Sequence, residues 1–201
     1  MTKRAVRLYS YVVARDFGFA PNPFFGFCTL ATCKPEIRKR AVLGDWVIGT
    51  GSGSKSRRRG NRVVFAMRVS EAITFNEYWD DPRFSSKKPY LPGSKKVAYG
   101  DNIYFKKGGV WHQENSHHSL DSGKPNKANI SHDTQTDRVL IGEDFVYWGR
   151  DGPIIPPATA RKLVKRGPGH RCDFDDAFIH EVTQWLRSRG QWGYVGAPLD
   201  W

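Results

Sequence analysis

No run in the sequence approaches the roughly 18 consecutive apolar residues of a membrane-spanning helix. The opening stretch MTKRAVRLYSYVVARD is broken by Arg7 and Ser10 where an export signal would be continuously apolar. Cysteine is scarce. Cys28, Cys33 and Cys172 are the only three, an odd number that argues against a disulfide framework and for reduced thiols. Cys28 and Cys33 have no second pair at metal-ligand spacing, so no zinc site is expected. The chain also lacks a Walker loop, GxGxxG, GxSxG, HExxH and an RNA-recognition signature. Those absences exclude the common nucleotide-hydrolysing, dinucleotide-binding and α/β-hydrolase solutions. A cytoplasmic protein with no identifiable cofactor is the expectation.

Positive charge and aromatic surface are what the chain does have. Lysine and arginine total 32 against 20 acids, a formal net charge of +12 in 201 residues. Such an excess attracts polyanions, so nucleic acid or nucleotide is the expected partner. Seven Trp, eight Tyr and twelve Phe provide rigid faces for a core, for base stacking, or for both. The length suits one domain, residues 1–201.

Short β-rich runs separated by turns dominate the pattern. Strands are expected at 7–14, within GDWVIGTG at 44–51, at 62–69, within GDNIYF at 100–105 and within RVLIGEDFVYWG at 138–149. Short helices are expected at 35–42 after Lys34-Pro35 and at 75–79, with another in PIIPPATARKLVKRG. The clearest helix lies within 173–190, with Asp173, Asp175 and Asp176 at its positive end and Gly190 as its stop. No internal repeat is visible. An α+β fold follows, in the form of a small twisted, barrel-like sheet with flanking short helices and a C-terminal helix.

Chemistry-bearing residues gather in three places. The segment WHQENSHHSLDSGKPNKANISHDTQTD holds four of the six histidines. His112, His117, His118 and Asp133 are its candidate acid–base groups, with Gln113, Asn115, His132 and Asp137 nearby. A flexible exposed loop is the plain alternative. Cys33 precedes Lys34 at a helix start, a setting that activates thiols. It is either a nucleophile or a small apolar core residue. Lys34, Arg38 and the basic tip Arg57, Arg58 and Arg59 suit phosphate contact.

The stretches DFGFAPNPFFGFCTLATCKP, GDWVIGTG, FAMRVSEAITFNEYWDDPRF, GDNIYF, DRVLIGEDFVYWG and the terminal GAPLDW resemble the nucleotide modification associated domain family, type two. The resemblance spans residues 7–201 and is densest over 16–51. It implies an α+β fold and an association, in bacteria and phages, with enzymes that modify DNA bases. It assigns no catalytic residue. The order of strand, short helix and GDWVIG also looks like the start of EVE and PUA-like barrels, which bind modified or flipped bases. On that pattern an aromatic pocket of Phe24, Phe25, Trp46, Tyr104 and Trp148 would take a base. Asp16, Asn22, Asp45, Asp101 and Asn102 would bond its edge. Three readings stay open: a base reader, a base- or nucleotide-modifying enzyme, and a partner subunit of a DNA-modification or phage-defence complex.

Overall fold

The computed structural model of the chain describes residues 4–53 and 60–201. Its centre is a six-stranded mixed sheet built from β1 (Leu8–Val13), β3 (Trp46–Gly51), β4 (Val63–Arg68), β9 (Asp144–Tyr147) and two short edge strands, β10 (His170–Arg171) and β11 (Gly193–Tyr194). The order across it is β10-β1-β3-β4-β9-β11. β1 runs parallel to β3, and β4 pairs antiparallel with both β3 and β9.

Period-two alternation gives this sheet two apolar faces. Tyr9, Tyr11 and Val13 point one way with Val47, Phe65, Met67 and Tyr147. That face packs on a second, three-stranded sheet of β2 (Cys28–Leu30), β8 (Val139–Gly142) and β5 (Glu71–Ile73), and on α1 (Pro35–Arg40). Leu8, Trp46, Ile48, Ala66 and Val146 point the other way. They are covered by α5 (Pro157–Leu163) and α6 (Asp176–Arg187). Asp175 caps α6 by accepting from the Phe178 N–H at 2.7 Å, as the acidic helix start implied. Ser10, on the α5 side of β1, donates its hydroxyl to the Leu163 carbonyl.

The remaining elements form a shoulder over the second sheet. They are α2 (Phe75–Asp80), α3 (Lys95–Ala98), the hairpin β6 (Tyr104–Lys107) and β7 (Val110–Gln113), and α4 (Lys127–Asp133). Phe19, Phe75, Tyr78, Phe84 and Tyr104 fill the space beneath them. The α+β class and the main strands thus match the expectation. The barrel does not. Among the described residues the six-stranded sheet is open, with β10 and β11 as its two edges, because helices cover one face and a separate sheet covers the other. The histidine-rich segment also differs from the exposed loop considered for it, since it contains β7 and α4.

A thiol, imidazole and carboxylate chain as the candidate active site

Cys33 and Lys34 sit between β2 and α1 with φ of +56° and +44°. Two successive side-chain-bearing residues in the left-handed region are costly, of order 1–3 kcal/mol each, and persist only where surrounding contacts impose them. Those contacts are specific. The Cys33 N–H donates to Asp133 Oδ1 at 2.8 Å, and the Cys33 carbonyl accepts from Arg38 Nε at 2.8 Å. Arg38 is fully buried. It also donates to the carbonyls of Thr136, Arg138 and Asp133. One guanidinium therefore ties the Cys33 turn to both ends of the chain segment that carries Asp133.

Asp133 is the hub. Its Oδ2 accepts from His118 Nδ1 at 3.0 Å and from the Tyr104 hydroxyl at 3.0 Å. Its Oδ1 accepts from the Cys33 N–H and from His132 Nδ1 at 3.0 Å. The opposite ring nitrogen of His118, Nε2, lies 3.9 Å from Cys33 Sγ. Sulfur, imidazole and carboxylate thus form a continuous hydrogen-bonded chain, the arrangement by which a base activates a nucleophile and a third group orients the base.

The polar segment is fastened so that the imidazole stays in place. The His118 carbonyl accepts from Gln113 Nε2 at 3.2 Å and from Asn129 Nδ2 at 2.8 Å. Gln113 also donates to the Tyr104 hydroxyl and accepts the Asn126 N–H at 2.7 Å. Asn126 in turn caps α4 through Ala128 and Asn129.

Burial works against the charged form of His118, but the Asp133 carboxylate, helped by Cys33, more than reverses this and holds the ring at about 9. Asp133 is held below the ordinary carboxylate range. Burial opposes that shift, and His118, His132 and the Cys33 N–H outweigh it. The neighbouring His117 is pushed the other way, downward, by desolvation among Phe17, Phe19 and Tyr99 and by the charges of His118 and Arg15.

The chain opens on a cavity of about 470 Å³ lined by Tyr11, Phe17, Phe19, Lys34, His117 and His118 among others, within the size range of small-ligand sites. The Lys34 ammonium lies 4.7 Å from the Tyr11 ring centroid. Burial lowers its pKa and the nearby Cys33 opposes that. Phe19 packs 4.5 Å, centroid to centroid, from His118.

Of the expected acid–base residues, Cys33, His118 and Asp133 meet, and His117 stands at the rim. His112 does not join them. It stacks on Phe105 in the β6–β7 hairpin. The expected aromatic pocket does not assemble. Trp46 and Trp148 lie in the core beneath α5 and α6, Tyr104 bonds Asp133, and Phe24 and Phe25 line a separate hollow with Tyr194. The proposed base-edge groups are mostly structural. Asp45 is buried in its own turn, accepting the N–H groups of Arg7 and Val42 and pairing with Arg4 at 3.2 Å. Asp101 accepts from Thr29 and Tyr78, and Asn102 donates to the Tyr78 carbonyl. Asn22 bonds Tyr99 and Lys87. Asp16 borders the cavity, but its carboxylate accepts from the Tyr147 hydroxyl and the Leu199 N–H. Arg38 is corrected from a phosphate contact to a buried clamp, while Arg57, Arg58 and Arg59 lie outside the described residues. Phe17 and the clamping role of Arg38 were missed, while Gln113 was named only as a neighbour of the candidate acid–base groups.

Fold and site together define an α+β protein with a thiol–imidazole–carboxylate chain at the wall of an open cavity. The chain belongs to the family described as nucleotide modification associated domain 2, whose model matches residues 5–201. No curated protein and no solved structure matches it. Among the described residues no helix is long and apolar enough to cross a membrane.

Proposed function

We propose that the protein is an enzyme of nucleotide modification that uses Cys33 as a covalent nucleophile, with His118 as acid–base partner and Asp133 as its orienting group. The observation that carries this reading is the 3.9 Å approach of Cys33 Sγ to His118 Nε2 while Nδ1 bonds Asp133 at 3.0 Å. The substrate class is a base or nucleotide bearing an acyl or amide group. The thiolate attacks the carbonyl carbon and forms a C–S bond. The departing amine or alcohol takes the proton from His118 Nε2, leaving a thioester. Water or an acceptor amine then attacks the thioester, gives its proton to His118, and releases sulfur as thiolate. Phe17 and the exposed His117 border the cavity as rings for the base, and Lys34 offers an ammonium for its phosphate. None of these rings belongs to the aromatic pocket expected from the sequence. DNA in the cytoplasm is the expected setting.

The test is turnover of acyl- or amide-bearing bases, in DNA and as free nucleotides, followed by mass of product and of intact protein. A mass gain on Cys33 that vanishes in Cys33→Ser, and turnover that falls in His118→Ala, is the expected result. Turnover retained by Cys33→Ser would remove the thiol from the mechanism.

A further inference from the structure

The cavity at Cys33 does not end at Lys34. Val12, Ala14 and Lys34 also line a second hollow of about 570 Å³, whose far wall is the loop Val164–Gly169 facing Gly51, Ser52 and Gly53. Val164, Lys165 and Arg166 line in turn a third hollow, of about 540 Å³, with Arg161, His170 and Arg171. Through these shared residues the three hollows adjoin one another near the β10 edge of the main sheet, and together they form the trough referred to below. Each part alone has the size of a small-ligand site, which is roughly 300–1,000 Å³, and together they exceed one such site.

The charge along this trough is one-sided. Among the described residues, Lys34, Lys165, Arg166, Arg161 and Arg171 line the second and third hollows against one carboxylate, Asp173, which Arg171 approaches at 3.4 Å, while Asp16 and Arg15 both border the first. Arg161 and Arg166 are exposed and make no side-chain hydrogen bond or ion pair with any described residue. Among the described residues Lys165 bonds only the Arg166 carbonyl, at 2.7 Å. The trough floor carries little side chain, because Gly51, Gly53, Gly60, Gly167 and Gly169 contribute to it. Bare backbone lets a phosphodiester chain approach closely, and unpaired guanidinium groups at intervals suit its phosphates.

We propose that the substrate is a nucleic-acid strand rather than a free nucleotide, with the reacting base in the Cys33 cavity and successive phosphates running past Lys34 to Arg166, Arg161 and Arg171. The proposal rests on the reading of Cys33 as the reacting centre, and it names what that centre works on. Arg161 and Arg166 position the strand by charge and leave base selection to the cavity.

Binding of a fluorescently labelled single strand of about 12 nucleotides to the full chain tests this, at salt from about 50 to about 200 mM. A mononucleotide, a polyglutamate of matched charge and the double variant Arg161→Glu/Arg166→Glu complete the set. The double variant Lys95→Glu/Lys107→Glu, on exposed residues of α3 and the β6–β7 hairpin away from the trough, changes the net charge equally and serves as the control. The strand should bind at least about 10-fold more tightly than the mononucleotide. The arginine double variant should lose about 10-fold and reduce the salt slope by about 1 to 2, while the lysine double variant binds as wild type. Equal affinity for strand and mononucleotide would overturn the proposal. So would an arginine double variant no weaker than the lysine one, or competition by polyglutamate as strong as by the strand. The same titration in Cys33→Ser separates the two claims. A thiol variant that binds the strand and still turns over would sink the chemistry alone. A protein with thiol-dependent turnover of free nucleotides and no strand preference would sink the trough alone.

Discussion

Lys87 and His118 are both cationic side chains enclosed by the fold, and the fold treats their charges in opposite ways. Lys87 is fully buried and spends its ammonium on the Asn22 carbonyl, Asn22 Oδ1 and the Phe27 carbonyl, at 2.7 to 3.1 Å. Burial pulls its pKa down to about 8 although Asp101 and Cys28 pull upward. His118 is also desolvated, yet its direct bond to the Asp133 carboxylate raises it to about 9. The difference lies in distance and access. The Lys87 ammonium bonds neutral carbonyl oxygens and only feels Asp101 from further away, with no route to solvent. His118 touches its carboxylate and turns its other nitrogen toward a sulfur at a cavity wall. A buried charged cluster becomes a reaction centre only when one of its atoms has a proton to move and a space to move it in.

The largest effect that bears on this contrast is in thiol reactivity. Alkylation by a small electrophile, read residue by residue by mass spectrometry, should be fastest at Cys33, slower at half-buried Cys172 and negligible at fully buried Cys28. His118→Ala should slow the Cys33 rate by about 10²-fold, and an unchanged rate would uncouple the pair. Lys87→Met should leave that rate alone but cost about 3–5 kcal/mol of stability in urea titrations, since it strands the three oxygens that the ammonium bonds and removes the charge that attracts buried Asp101. A loss below about 1 kcal/mol would show that the Lys87 cluster is not the sealed support described above.

Stability against pH should split the two cations more finely. The folded pKa of His118 is raised from 6.5 to about 9. Its stabilisation is therefore complete below about 6.5 and lost as pH rises through about 9. The folded pKa of Lys87 is depressed from 10.5 to about 8. The cost of burying its charge is therefore complete below about 8 and relieved as pH rises toward 10.5. Wild-type-minus-variant stability curves for His118→Gln and Lys87→Met should slope in opposite directions between about 8 and 9. Curves of the same sign would contradict one of the two assignments. The smallest effect is expected at His112→Ala. That exposed ring touches only Phe105 among the described aromatic partners, so alkylation at Cys33 should be unchanged and stability should move by no more than about 0.5 kcal/mol.

Several parts of this arrangement were legible in the residues. The β-rich run LYSYVV and the acidic start of α6 are local signals, so the strand and helix they specify are where they were expected. Cys33, His118 and Asp133 were all recognisable as reactive types. Nothing in their spacing selects them over His112 or His132, because they lie 85 and 15 positions apart and meet only after α4 docks under the hairpin. Arg38 shows the opposite error. A basic residue in a short helix reads as surface, yet its guanidinium is long and multivalent enough to join three separated carbonyls to the Cys33 turn. The aromatic pocket failed for a related reason. Trp46 and Trp148 face the α5–α6 side of the sheet while Tyr11 and Tyr147 face the other, and a one-residue difference in phase cannot be seen until the strands are paired.

Composition alone determined the excess of positive charge and the surplus of aromatic surface, and the order of short strand and helix signals determined the α+β class. The motifs alone placed it in its family. Tertiary structure decided which histidine faces the thiol and which arginine is a clamp. The reason is physical. Local propensity and net charge are sums over neighbours in the chain, whereas a reactive centre depends on distances between residues that only packing brings together.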